Sequence, residues 1–145
     1  MDLISEYLLI IELLDIDPFY KEVEDKKALR KAVRDNNKRA DRIREIAKEI
    51  EASYPALKSE FAQLLYHERQ SVRSWAAHHI LEVMNYDAPV RADALREIER
   101  IAAEDDTVHG LGNKMWLQQW YQEHPDDRNL TKRYLKGNMN SCHRR

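Results

Sequence analysis

Histidine is the side chain best placed to do acid–base or metal chemistry near neutral pH, and this chain carries six. His67-Glu68 opens like a zinc-protease signature, but Arg69, Gln70 and Ser71 follow where a second histidine is needed one helical turn on. His78 and His79 are adjacent, and on a helix about 100° separates their directions. His79 falls beside Val72, Ala76 and Val83 in an apolar arc and reads as a hydrogen-bonded core histidine. His78 shares a polar arc with Ser74 and Glu82; His78 and Glu82, one turn apart, read as a solvated pair or as a contact for a partner. No nucleophile, oxyanion donor or third group accompanies them, so a catalytic dyad would lack its other members. The acids of residues 1–25 lack the Asp-x-Asp-x-Asp-Gly spacing of a calcium loop, and Cys142-His143 is an isolated pair, so no metal site is expected. Gly110-Leu111-Gly112 is too short for a phosphate loop and has no lysine. Neither a cofactor nor an enzymatic activity is expected.

The elements that must carry these side chains are helices. Three glycines and four prolines among 145 residues, with 34% charged residues and 8% aromatics, do not supply the turn every 8–12 residues or so that all-β folds need. Asp2 is a candidate cap for a first helix to about Leu14, with Leu3, Tyr7, Ile10 and Leu14 as its stripe and Leu8 and Ile11 widening it. Asp17-Pro18 is a second start signal. From Asp25, Leu29, Val33, Asn36, Ala40, Ile43, Ala47 and Ile50 recur at steps of four and three. Two readings of this stretch stand: one long helix over 26–53, or two abutting helices with Asn37 capping the second. Tyr54-Pro55 ends it. Leu57, Phe61, Leu64 and Leu65 mark a short helix, and His67 to Gln70 a polar turn; Ser71 then caps a helix through Val72, Ala76, Ile80 and Val83. Pro89 opens a helix carrying Ala94, Ile98, Ile101 and Ala102. Glu104 to Thr107 turns the chain, and a last helix from about Leu111 carries Trp116, Leu117 and Trp120. Trp116 and Trp120 read as core, with Trp75 and Tyr121 at the edges of their apolar arcs, where aromatics anchor protein interfaces.

The net charge of −2 gives no global field for nucleic acid or acidic lipid. The average conceals an asymmetry: residues 1–25 carry eight acids against Lys21, and residues 26–50 carry ten Lys/Arg against four acids. The basic stretch offers Lys31, Arg34, Lys38, Arg42 and Lys48 to phosphates. Its cations alternate with Asp35, Asp41, Glu45 and Glu49, however, and no aromatic lies between Lys21 and Ser53 to stack a base, so nucleic acid is not the expected partner. The acidic and basic quarters can instead pair internally. The longest apolar run, Tyr7 to Leu14, is broken by Glu12 and falls short of the roughly 20 residues of a membrane span. Asp2 and Glu6 stand where a secretory signal needs basic residues, and the single cysteine, Cys142, fits a reducing compartment; cytoplasm is the expected location.

Two helix pairs superpose at an offset of 37, which sets Phe61 on Ile98, Leu64 on Ile101, Leu65 on Ala102, Glu68 on Asp105, Ile80 on Leu117 and Val83 on Trp120. Such a period in paired helices is the mark of an α-solenoid. The pattern Leu64-Leu65, Val72-Arg73-Ser74-Trp75-Ala76-Ala77, Ile80-Leu81 resembles the HEAT-type repeat consensus. With Asn37 to Ile43, Leu64 to Glu68, Leu95-Arg96-Glu97-Ile98 and the Trp116 to Trp120 helix, it also resembles a family of small bacterial HEAT-like domains. Members of that family serve as immunity proteins in polymorphic-toxin and contact-dependent-inhibition systems. The likeness covers about residues 25–122.

These readings lead to an all-α chain, a short right-handed α-solenoid of about six to seven helices in HEAT-like antiparallel pairs. A single domain over 1–136 is expected, followed by a polar tail over 137–145. The resemblance implies an immunity protein, monomeric when free, that covers the active site or substrate groove of a cognate toxin encoded upstream. Were that toxin a nuclease, its basic face would be met by acids such as Asp15, Asp17, Glu22 and Glu24. If the charged quarters pair internally, Trp75, His78, Glu82 and Tyr121 become the contact residues. The alternatives are a HEAT-like scaffold for another protein partner and a nucleic-acid-binding repeat using the basic helix over 26–50.

Overall fold

Asp2 accepts the backbone N–H of Ser5 at 2.8 Å and so starts the first helix, α1 (Leu3–Ile16), as its type and place predict. The computed structural model describes residues 2–16 and 25–134. The Asp17-Pro18 start signal, the acids Asp17, Glu22 and Glu24, and the tail over 137–145 lie outside the described residues. Among the described residues the chain is all-α: six α-helices are delimited, 3-10 turns lie at Pro55–Leu57, Gln63–Tyr66 and Pro125–Asn129, and residues 130–134 are helical where the description ends. It divides into two compact units, Met1–Phe61 and Ala62–Arg145.

In the first unit, α2 (Lys26–Ser53) is one continuous helix, capped by the Asp25 carboxylate on the N–H of Lys27. The two-helix reading fails at Asn36-Asn37. The helix runs unbroken through Asn37, the proposed cap, and the neighbouring Asn36 accepts from Arg39 at 2.8 Å. Only the C-terminal half of α2 is buried, through Ile43, Ile46, Ala47 and Ile50, whereas Val33, expected in the same stripe, is 40% exposed. Helix α1 packs on α2 through Ile4, Tyr7 and Ile11. The predicted stripe of Leu3, Tyr7, Ile10 and Leu14 is therefore rotated. The helix is apolar nearly all round, so its inward face is chosen by what lies opposite: Tyr7 meets Phe61 edge-on, with ring centroids 5.0 Å apart. Tyr54-Pro55 ends α2 as expected, and a 3-10 turn at Pro55–Leu57 leads into α3 (Lys58–Ala62). The boundary between the units falls within α3, inside the first of the helix pairs expected from the repeat.

The second unit begins with a 3-10 turn, Gln63–Tyr66, and continues with α4 (Gln70–Glu82), α5 (Ala88–Glu104) and α6 (Val108–Glu123). Helix α5 packs against both α4 and α6, and the connections between these helices are short enough to bring each back onto its neighbour. Its core is Leu64, Leu65, Val72, Ala76, Ala77, Ile80, Leu95, Ile98, Ile101 and Leu117. Two starts differ from expectation. Helix α4 begins at Gln70, so Ser71 is inside the helix and does not cap it. The preceding turn is fixed instead by Arg73, which donates to the carbonyls of His67 and Glu68 at 2.7 and 3.0 Å. Helix α6 begins three residues before Leu111, with Thr107 accepting from the N–H of His109. Its early glycine is required by packing: a Cβ on Gly110 would sit 1.7 Å from the backbone oxygen of Asp105.

Candidate functional site

A ridge of rings runs between α4 and α6 in the second unit. Trp116, Trp120 and His124 are spaced one helical turn apart, so their rings can lie one over the next. Trp116 and Trp120 stack at 4.8 Å and 12°, and Trp120 and His124 at 3.8 Å and 18°. From α4, His78 meets Trp116 edge-to-face at 4.5 Å. Both indoles are only half-buried, which corrects the expectation that they are core. They point their N–H groups at carboxylates: Trp116 donates to Glu82 Oε2 and Trp120 to Asp127 Oδ2, each at 2.9 Å. An indole with a polar edge to satisfy and an apolar face to cover suits such a boundary position better than the centre of a core.

The histidine is held equally firmly. Asn113 donates its amide to the carbonyl of His109 at 2.7 Å, so its Oδ1 remains to accept, and His78 Nε2 donates to it at 2.8 Å. His78 Nδ1 stands 3.5 Å from Glu82 Oε2, the same oxygen that receives the Trp116 N–H. Both ring nitrogens are thus directed at protein groups. The arrangement holds its rings and polar atoms in fixed positions.

At the far end of the ridge, Asp127 is buried and takes a guanidinium N–H from Arg91 at 2.5 Å as well as the Trp120 indole. A 3-10 turn, Pro125–Asn129, places it there. Sequence reasoning missed Asp127, Arg91 and Asn113. The only signals were an asparagine within a helical stretch and an acid just after a proline, neither distinctive, because their partners lie 35 or 36 residues away.

The remaining expected site residues fall in different places. Trp75 is half-buried, as its edge position predicts, and stacks at 5.8 Å on His79, which is buried as the core reading requires. Trp75, His78 and Glu82 share one flank of α4 at helical spacing. Tyr121 is separated from Trp116 by roughly 140° around α6 and lies on the side facing α5. It lines a groove of about 310 Å³ with Glu99, Ala102, Leu117 and Arg128. Burial, reinforced by Glu99 and Asp127, pushes its phenol up to about 12. Asp15 is exposed at the end of α1 in the first unit.

In that first unit acid–base pairs cross between helices: Lys58 of α3 meets Glu51 of α2 at 2.8 Å, and Arg42 of α2 meets Glu6 of α1. Glu6 receives both Arg42 Nε, at 2.7 Å, and Arg42 Nη2, at 2.9 Å, a fork that lowers the Glu6 carboxyl below its usual range. Internal pairing of the acidic and basic quarters is realised at this point. Among the described residues no group of His, Cys, Asp and Glu is placed to hold a metal, and no helix is long and apolar enough to cross a membrane. Compared with protein-family models, curated proteins and solved structures, the chain has no match.

Proposed function

We propose that this chain is a helical protein-binding domain whose partner is a bacterial toxin, neutralised by occlusion of its active site or substrate groove. The observation that carries the reading is the half-exposed pair Trp116 and Trp120, each fixed by an indole N–H on a carboxylate and both stacked in one ridge with His78 and His124. Tryptophan is enriched among the residues that dominate binding energy, and anchors held in place before binding lose little entropy when a partner arrives. The resemblance of residues 25–122 to HEAT-like immunity domains supports the choice of a toxin as the partner, in cytoplasm where a nuclease or other intracellular toxin acts.

Co-expression with the product of the upstream gene tests this. Cells making both proteins survive, the two co-elute, and Trp116→Ala with Trp120→Ala abolishes both effects while circular dichroism stays helical. Cells that die despite the wild-type chain, or a pair that never co-elutes, would remove the proposal.

A further inference from the structure

Among the described residues, the outward face of α6 carries the most exposed run of large apolar side chains. Val108, Leu111 and Met115 are 77%, 59% and 61% exposed and follow one another at steps of three and four, with exposed Gly112, Gln118, Gln119 and Gln122 among them. No Asp, Glu, Lys or Arg lies on this face, in a chain that is 34% charged; Lys114 and Glu123 border it on opposite sides. Gly112 has no internal reason to be glycine, since a Cβ there would meet nothing within 4 Å. Glycine is a poorer helix former than alanine, so the position carries a helix penalty that the chain's own packing does not require.

The spacing suggests what the gap accepts. Val108, Leu111, Gly112 and Met115 are symmetric about the midpoint between Leu111 and Gly112. When two such helices cross antiparallel at that midpoint, Leu111 of each faces the gap above Gly112 of the other, and Val108 faces Met115. This is the self-complementary pattern of a two-fold interface, with an apolar knob entering a hole on the facing helix. The absence of formal charge means that no like charges meet when the face meets its copy. The antiparallel direction also carries the Gln118 and Gln119 amides toward the exposed Asp106, which stands just before the start of the other α6.

We infer that the outward face of α6 is a self-association surface, and that its occupant is α6 of a second copy of this chain. A single helix crossing buries less than the roughly 1,000 Å² of a stable interface, so the association is weak and the chain is monomeric when dilute.

Sedimentation equilibrium of the full chain from about 10 µM to 1 mM tests the inference, a range that spans weak dissociation constants. The wild type shows a monomer–dimer equilibrium. Leu111→Asp weakens it at least tenfold without changing Tm, because Leu111 is exposed in the monomer. Gly112→Ala separates interface from fold most sharply: it raises Tm by removing the helix penalty and weakens the dimer at least tenfold by filling the gap. A chain that sediments as a monomer at every concentration overturns the inference. So does a dimer indifferent to both substitutions. A monomer whose Leu111→Asp variant instead loses binding to the upstream gene product assigns the face to a foreign protein, and also overturns it.

Discussion

The two units use their polar side chains in opposite ways. Along α2, polar bonds are mostly local: Lys31 pairs with Asp35 one turn on, Arg39 with Asn36 and Arg42 with Glu49, while the Glu6–Arg42 fork and the Lys58–Glu51 pair reach other helices. In the second unit they mostly join elements, with Arg73 on Glu97, Gln70 on Asp105, Tyr66 on Asp93, His78 on Asn113 and Arg91 on Asp127. Local pairs soften the charge of an exposed helix and say little about where it sits. Pairs between elements fix positions and directions, which is why the preorganised ridge is found in the second unit although α2 has the clearer amphipathic pattern.

The largest test of that contrast is Gly110→Ala. The added Cβ would overlap the Asp105 backbone oxygen, so the turn between α5 and α6 must shift, at a cost of about 3 kcal/mol in denaturant unfolding. Next is Asp127→Ala, which strands the Arg91 guanidinium and the Trp120 indole at a partly buried site; a loss of about 2 kcal/mol and a changed tryptophan emission are expected. Double-mutant cycles then compare the ion pairs directly. Arg73 with Glu97, whose side chains are 19% and 11% exposed, couples by about 1 kcal/mol, whereas Lys31 with Asp35, at 71% and 39%, couples by about 0.3 kcal/mol. Equal coupling in the two cycles would erase the distinction drawn between the units.

The smallest effect is one of pH. Thr107, through its hydroxyl and its backbone N–H, and then Gln70 hold the Asp105 carboxyl down at about 2. A carboxyl lowered by folding adds stability above its unfolded value near 4 and loses it as the pH falls toward 2. Asp105→Asn therefore lessens the dependence of Tm on pH between about 4 and 2 and leaves the slope unchanged above pH 5.

The sequence made the helical class legible because composition and stripe spacing are properties of the chain itself. Asp2, Pro55 and Pro89 stand at helix boundaries for equally local reasons. His79 was legible as a core residue, since its neighbours at helical spacing are apolar. Legibility failed wherever a partner distant in sequence decides. The inward face of α1 depends on α2 and Phe61, and the half-exposed positions of Trp116 and Trp120 depend on Glu82 and Asp127. The early start of α6 was hidden by its glycines, which read as helix breakers until Gly110 is seen against Asp105. Of the candidate site, the His78–Glu82 spacing could be read directly, but the second support of His78, Asn113, could not.

The placement of the tryptophans also gives the molecule two spectroscopic voices. All three, Trp75, Trp116 and Trp120, belong to the second unit, and two of them are stacked on each other. Intrinsic fluorescence therefore reports the unfolding of Ala62–Arg145, while far-ultraviolet circular dichroism draws on the helices of both units. Coincident curves mean one cooperative transition, and separated curves mean that each unit melts on its own.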